Sequence, residues 1–219
     1  MPVSSTWPRR AFAGVHHRLV HTRRVEALAG HIAELIPRGH AVLDVGCGDG
    51  LIAEQVLERR PDLTVGGVDV MVRPLSRIPV TRFNGRRLPF PDQSWDTVLF
   101  CDVLHHVEEP ATLLHEAVRV ARDGIVIKDH LVQGVLARPL LRFMDFVGNA
   151  PHGVALPYNY LAAEEWNALL RECGLVTREM RSRLGLYPPI VDTLFGRGLH
   201  FIAGYAIEAR RPESGSRND

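Results

Sequence analysis

Three glycines and one aspartate lie where a parallel sheet would bind a small charged ligand. The run VLDVGCGDG ends an apolar segment in Asp44 and then places Gly46, Gly48 and Gly50 two residues apart. Glycine lets the backbone approach a ligand closely and adopt positive φ angles. A turn of this kind at the carboxyl end of a first strand is where open α/β sheets bind ligands.

The spacing of these glycines departs from the dinucleotide fingerprint. The chain has G-x-G-x-G, whereas pyrophosphate sites at helix N-termini are built on G-x-G-x-x-G. Asp44 stands two residues before the first glycine, and a carboxylate there suits a ligand with an ammonium and a sulfonium group better than a pyrophosphate. A nicotinamide-dependent oxidoreductase is therefore an alternative that the spacing disfavours.

Further segments follow in a recognisable order. GGVDV places Asp69 19 residues after Gly50, and NGRRLPFPDQSWDTVLFCDVLHHVEEP spans residues 84–110. Together with VLDVGCGDG, these segments resemble the class I, Rossmann-like S-adenosylmethionine-dependent methyltransferases of the small-molecule type, over roughly residues 24–128. The resemblance implies S-adenosyl-L-methionine as methyl donor and S-adenosyl-L-homocysteine as product.

The resemblance also assigns roles to individual positions. It implies that Asp44 and the glycine turn hold the methionine part, and that Asp69 binds the ribose hydroxyls, as acids about 20 residues on do. Asn84 stands where the family commonly has an aspartate that accepts from the adenine amino group, and asparagine keeps a carbonyl acceptor. The full set of predicted cofactor-binding residues is Asp44, Gly46, Cys47, Gly48, Gly50, Asp69, Val70, Met71, Asn84, Gly85 and Cys101.

Candidate acceptor-side groups follow the predicted fourth and fifth strands. Methyl transfer from a sulfonium is an in-line displacement in which positioning supplies much of the rate, and a base is needed only when the acceptor must lose a proton. We predict His130 as the first catalytic candidate because imidazole titrates near neutrality, and His106 as the second. The alternative is that both histidines only support their loops. Other polar residues at these strand ends are Asp102, His105 and Asp129, and no metal site is predicted.

The elements that position these groups alternate between strand and helix patterns. This alternation predicts an α/β fold with a doubly wound, mostly parallel seven-stranded sheet and helices on both faces. The predicted strands cover residues 41–46, 64–70, 80–83, 97–101, 124–128, 175–181 and 200–209. The predicted helices cover residues 14–35 as one or two helices, 51–60, 110–121, 131–147 with an interruption at Pro139, and 164–171.

We expect one methyltransferase domain over residues 1–219. Its predicted segments are an N-terminal helical segment (1–38), a cofactor-binding core (39–130), an acceptor lid (131–174), C-terminal strands (175–210) and a disordered tail (211–219). The lid combines apolar bulk with a few polar groups, which is typical of small-molecule pockets. Its candidate acceptor-facing residues are Phe143, Met144, Phe146, Asn149, His152, Tyr158, Asn159 and Tyr160. Arg138 and Arg142 on an apolar helix leave open a contact with a lipid surface.

Composition sets the outer limits of the interpretation. The apolar fraction is 46% and the formal net charge is +1, so no global field attracts nucleic acid or membranes. The three cysteines lack paired spacing and indicate reduced thiols in a cytoplasmic protein. We expect a small organic or lipid-like acceptor and no nucleic-acid partner. The accepting atom and the oligomeric state stay open, and a catalytically inactive binding or scaffold protein is the alternative function.

Overall fold

Seven strands form one sheet in the computed structural model, which describes residues 7–149, 158–188, 192 and 198–208. The strands are β1 (Ala41–Val45), β2 (Thr64–Asp69), β3 (Val80–Arg82), β4 (Trp95–Cys101), β5 (Ala121–His130), β6 (Leu175–Arg181) and β7 (His200–Ile207). Their spatial order is β3-β2-β1-β4-β5-β7-β6. β1 to β5 pair in parallel, and β7 runs antiparallel between β5 and β6.

Helices cover both faces of the sheet. Within the described residues they are α1 (Trp7–Leu35), α2 (Leu51–Arg59), α3 (Pro110–Val120), α4 (Ala137–Asn149) and α5 (Ala163–Glu172), with a 3₁₀ turn at Leu104–His106. The predicted doubly wound, mostly parallel sheet is confirmed. None of the helices in the described part of the chain has the length and apolarity that crossing a lipid bilayer requires.

The central strands are apolar because both of their faces are covered. Val42 packs into a core cluster with Leu28 of α1 and Val56 of α2. The next residue, Leu43, points to the opposite face and packs with Leu114 of α3 and other residues. Successive strand residues face opposite sides, so a strand buried on both sides reads as a continuous apolar run.

The segment from the end of β5 to the start of α4 differs from its prediction. β5 extends to His130 instead of ending at Lys128, because β7 pairs with it as far as the register His130↔His200. Residues 131–136 are not helical, and α4 begins at Ala137. Pro139 therefore lies in the first turn of α4, where its missing N–H costs no hydrogen bond, and the predicted interruption of the helix was wrong.

The division of the chain into segments stays a prediction. Residues 1–6, 150–157 and 209–219 lie outside the described residues, and with them His152 and the predicted tail. The side chains of Phe143, Phe146 and Asn149 are likewise outside the description.

Candidate functional site

A cavity of about 510 Å³ opens at the carboxyl ends of β1, β2 and β4. This size is within the range of small-molecule and cofactor sites. Predicted cofactor residues that line it are Gly46, Gly48, Asp69, Val70, Met71, Asn84 and Gly85. The rest of its wall consists of Arg73, Phe83, Arg86, Asp102, Val103, His106, Val107, Glu108, Glu109, Thr112 and Leu113.

The turn between β1 and α2 requires glycine for two separate reasons. Gly46 has φ 73°, and a Cβ there would lie 2.6 Å from Cγ2 of Val103. Gly50 has φ 79° at the start of α2, and its Cβ would lie 2.7 Å from Cγ1 of Ile78. Left-handed backbone and lack of space both exclude larger residues. Gly46 and Gly50 therefore place no side chain of their own over the turn, and a ligand can approach its backbone.

Asp69 is fixed at the end of β2 with its carboxylate on the cavity wall. One oxygen, Oδ2, accepts the N–H of Gly48 at 2.9 Å, and Oδ1 accepts the N–H of Met71 at 2.9 Å. Each carboxylate oxygen has a further lone pair, so both can still accept from a ligand. These two neighbouring acceptor oxygens fit a pair of vicinal hydroxyls.

Asp44 lies beneath the glycine turn and is 3% exposed. Burial, together with the nearby charge of Asp69, raises the pKa of Asp44 to about 7. A ligand cation would favour the ionised form of this carboxyl group. The described residues Asp44, Cys47, Gly50 and Cys101 are not in the cavity wall. The thiol of Cys47 packs against Gly67 in β2, where a Cβ would come within 2.4 Å of Sγ.

Asn84 lines the cavity, but its carbonyl oxygen already has partners. Oδ1 accepts the backbone N–H groups of Arg86 at 2.9 Å and of Arg87 at 2.8 Å. These two bonds shape the loop after β3. An adenine amino group at this position would have to share the same oxygen.

The predicted acceptor-side residues divide between the cavity and the protein interior. His106 lines the cavity, whereas His130 is 5% exposed and is not in the cavity wall. His130 belongs to a group of ionisable side chains that we call the buried polar cluster. Its members are Arg24, Asp102, Lys128, His130, Tyr187 and His200.

Asp102 connects the buried polar cluster to the cavity. Its carboxylate accepts from Arg24 and from Lys128, and it lines the cavity. Nζ of Lys128 lies 3.5 Å from Nδ1 of His200, and the Tyr187 hydroxyl lies 3.3 Å from Nε2 of His200. Asp102 has φ 58°, a left-handed conformation that is strained for a residue with a Cβ.

Burial and neighbouring charges shift the pKa values of the side chains in this cluster in different directions. Burial alone would raise the pKa of Asp102, but Arg24 and Lys128 hold it well below its usual range. Burial lowers the pKa of His130 to about 4, and the bond to Asp129 opposes this only in part. Burial also lowers the pKa of His200 well below its usual value. Both shifts favour the neutral imidazole over the imidazolium.

Asp129 organises the residues between β4 and α3. Its Oδ2 accepts the N–H of Leu104 at 3.0 Å, and its Oδ1 accepts Nδ1–H of His105 at 2.6 Å. The N–H of His130 donates to Oδ1 at 2.7 Å. The first two of these bonds end on the 3₁₀ turn whose last residue is His106.

Four of these side chains have the composition of a metal site. The ligand atoms of Asp102, His105, Asp129 and His130 lie within 4.8 Å of one another. Asp102 is already neutralised by Arg24 and Lys128, so a divalent ion would have to displace a buried cation. The arrangement favours a hydrogen-bonded network over metal coordination.

Several members of the buried polar cluster were not predicted from the sequence. Arg24, Tyr187 and His200 come from elements far apart in the chain, and their meeting depends on the tertiary fold. Lys128 had a readable signal. A single lysine in the apolar run GIVIK, in a strand expected to be covered on both faces, requires a buried partner for its charge.

The chain is similar to known methyltransferases in sequence and in fold. Residues 43–127 match the family model described as a methyltransferase domain. The chain is 25% identical over 199 residues to a ubiquinone biosynthesis O-methyltransferase of Aeromonas salmonicida, covering 81% of this chain and 79% of the relative. It is 29% identical to the protein of the same name from Hahella chejuensis, covering 80% and 77%. A SAM-dependent methyltransferase structure from Aquifex aeolicus superposes with TM-score 0.59 at 18% identity, covering 89% and 97%.

Proposed function

Because this chain is a class I S-adenosylmethionine-dependent methyltransferase, we propose that it methylates a hydroxyl oxygen of a small, lipid-like organic acceptor. The donor is S-adenosyl-L-methionine, whose sulfonium supplies an activated methyl group. The observation that carries the donor assignment is the fixed Asp69 carboxylate beside the glycine turn in a cavity of about 510 Å³, and the relatives' names support the hydroxyl acceptor.

Different residues around the cavity would bind different parts of the donor molecule. Asp69 would accept the ribose hydroxyls, and the exposed apolar side chains of Val70 and Met71 would cover the adenine ring. Asp44 would provide negative charge for the ammonium group through the glycine turn. Cys47 and Cys101 would then contribute to cofactor binding only through their backbone groups.

The accepting atom is proposed from the relatives. Two of them are named ubiquinone biosynthesis O-methyltransferases, and the chain spans more than two thirds of each. A 27-O-demethylrifamycin SV methyltransferase of Amycolatopsis mediterranei is 27% identical over 169 residues. These names describe oxygen acceptors on organic molecules, and the predicted small organic or lipid-like acceptor agrees with them.

Removal of the acceptor proton is assigned to His106. Among the predicted catalytic histidines it is the one that lines the cavity. His130 lies behind Asp102, with Nδ1 3.9 Å from Oδ1, and its low pKa makes it a weak base. A base must come within hydrogen-bond reach of the proton it removes, so His106 precedes His130 in this proposal.

A lipid surface is a second proposed contact, on the outer side of α4. Val135 and Leu136 before this helix are 96% and 76% exposed, and Arg138 and Arg142 are exposed beside them. The inner side of the same segment is buried through Ala137 and Leu141. Exposed apolar side chains flanked by arginines suit a membrane interface with anionic headgroups.

Calorimetric titration with S-adenosylhomocysteine, with NADH as control, tests the cofactor assignment. Micromolar binding of the first and none of the second is expected. Methyl transfer to a panel of phenols, with and without a long alkyl chain, then tests the acceptor. Tight S-adenosylhomocysteine binding without turnover on any acceptor would favour the alternative of an inactive binding protein.

A further inference from the structure

We propose that Asp129 and Asn159 are positioning residues that clamp the turn carrying His106 from two separate segments of the chain. This turn, Leu104–His106, is called the histidine turn below. The proposal rests on the proposed function in one respect, since it takes His106 as the residue that faces the acceptor. Its geometric content is independent of any acceptor.

The histidine turn has little structure of its own. Its internal backbone bonds run from His106 N–H to the Val103 carbonyl at 2.9 Å and from Val107 N–H to the Leu104 carbonyl at 3.1 Å. Short 3₁₀ segments have poor hydrogen-bond geometry and low intrinsic stability. The position of the turn therefore depends on what binds it from outside.

Asp129 binds the turn from the sheet. Its carboxylate is fully buried and accepts from the N–H of Leu104 and from Nδ1 of His105. A carboxylate only accepts hydrogen bonds, so the bond network assigns the proton of His105 to Nδ1. The contact with His105 also helps to keep the pKa of Asp129 below its usual range despite burial.

Asn159, in the segment that follows α4, also binds the turn. Its backbone N–H donates to the His105 carbonyl at 3.1 Å, and its side-chain Nδ2 donates to the Val107 carbonyl at 3.0 Å. The ring of the next residue, Tyr160, stacks on His105 with centroids 5.7 Å apart. Asn159 lies within the predicted acceptor lid, so the segment expected to contact the acceptor is bonded directly to the histidine turn.

The clamp determines the distance between the His106 side chain and the donor site. Val103 precedes the turn and packs against Gly46 of the glycine turn, and His106 at the other end lines the cavity. A displacement of the turn would move His106 relative to the donor site. Misplacement by about 1 Å can cost about a hundredfold in rate.

Two variants and one control test the clamp. Asp129→Asn keeps the shape of the side chain but replaces one acceptor oxygen with a donor. Asn159→Asp removes the donor to the Val107 carbonyl and keeps the backbone bond. Asn167→Asp makes the same chemical change at an exposed position of α5 and is the matched control.

The readout is two-bond ¹H–¹⁵N spectroscopy of the histidine rings, which reports tautomer and environment without an acceptor. In the unsubstituted protein we expect the Nδ1–H form for His105. Asp129→Asn keeps only one acceptor oxygen for the N–H groups that the carboxylate binds, so one end of the clamp is lost and the His106 ring signals should shift. Asn159→Asp should shift the His106 signals and retain the His105 tautomer, and Asn167→Asp should change neither.

The outcomes separate the clamp from the methyltransferase assignment. Unshifted His106 signals in both folded variants would overturn the proposal, and a shift in only one variant would remove the other residue from it. If Asp129→Asn does not fold, Asn159→Asp decides alone. S-adenosylhomocysteine titration of the same samples is a separate arm, because its failure would refute the cofactor site whatever the histidine spectra show.

Discussion

Arg24 of the N-terminal helix and Asp102 at the end of β4 form an ion pair beside the cavity, although 78 residues separate them in sequence. The pair joins α1 to the strand whose end borders the glycine turn. Lys128 approaches the same carboxylate from β5. One carboxylate thus connects three elements at the point where donor and acceptor would meet.

This convergence predicts the effect of removing one buried cation. Breaking a buried pair costs about 3–5 kcal/mol, and the retained Arg24 places the loss for Lys128→Met at about 3 kcal/mol. Urea denaturation of both proteins measures the difference in unfolding free energy. The control Arg122→Met breaks an exposed pair with Asp96 and should cost less than about 1 kcal/mol. Equal losses of unfolding free energy in the two variants would show that the buried pair stabilises the fold no more than the exposed pair.

Asp69 gives a prediction about cofactor affinity. Asp69→Ala should weaken S-adenosylhomocysteine binding by about 1.5–3 kcal/mol, because hydrogen bonds to a charged group are lost. This corresponds to roughly 10- to 150-fold in the dissociation constant. Calorimetry measures it, with Asp123→Ala, which removes an exposed pair with Arg178, as control. An unchanged affinity would rule out Asp69 as the ribose ligand.

Asp44 gives a prediction about pH. Its pKa of about 7 means that the carboxyl group is neutral below that pH and ionised above it. Affinity for the ammonium-bearing S-adenosylhomocysteine should therefore rise from pH 5.5 to about 7, by up to about tenfold per unit, and then level off. The free energy of unfolding of the unliganded protein changes in the opposite direction. The stability that the neutral Asp44 carboxyl group contributes is lost as pH rises through 7. Asp44→Asn should flatten the binding profile, and a variant that retained the full slope would assign it to another group.

The two histidines give a prediction about turnover. On an acceptor found in the phenol panel, His106→Ala should lower kcat by about 10²- to 10⁴-fold, the range for general-base catalysis, with S-adenosylhomocysteine affinity unchanged. His130→Ala should also slow turnover, with a smaller effect because His130 lies behind the cavity wall. The reverse order of effects would restore His130 as the base.

The exposed apolar pair before α4 gives a prediction about membranes. The double change Val135→Ser and Leu136→Ser should reduce co-sedimentation with phosphatidylcholine–phosphatidylglycerol vesicles severalfold, because less apolar area enters the interface. The matched control is Val176→Ser with Met180→Ser, two half-exposed residues of β6. Equal loss in both pairs would point to nonspecific adsorption, and no binding by the unsubstituted protein would exclude the lipid contact.

Much of the fold was predictable because its signals are local. The run at Val42–Val45 indicates a strand covered on both faces, and the glycines after it define a turn through their backbone requirements. Pro110 begins α3 at the position where proline is favoured. These signals depend on neighbours in sequence, so β1 to β4 lie within a few residues of their predicted ranges.

The parts that sequence did not predict depend on distant partners. β5 is longer than its apolar core because β7, about 75 residues later, pairs with it up to His130. The prediction of His130 as a catalytic residue requires that it follow β5 and face the cavity, whereas its pairing with His200 of β7 keeps it inside the sheet. Arg24 gave no signal, because an arginine on a helix is ordinarily exposed.

The position of β7 has a consequence for the order in which the molecule assembles. β6 precedes β7 in the chain but lies outside it in the sheet, where its strand partner is β7. During synthesis β6 therefore emerges from the ribosome before the strand that must separate it from β5. Until β7 inserts, the edge of β5 is unpaired and Lys128 lacks the covering His200. Such unpaired edges favour aggregation, so this interval is when the nascent chain most needs chaperone protection.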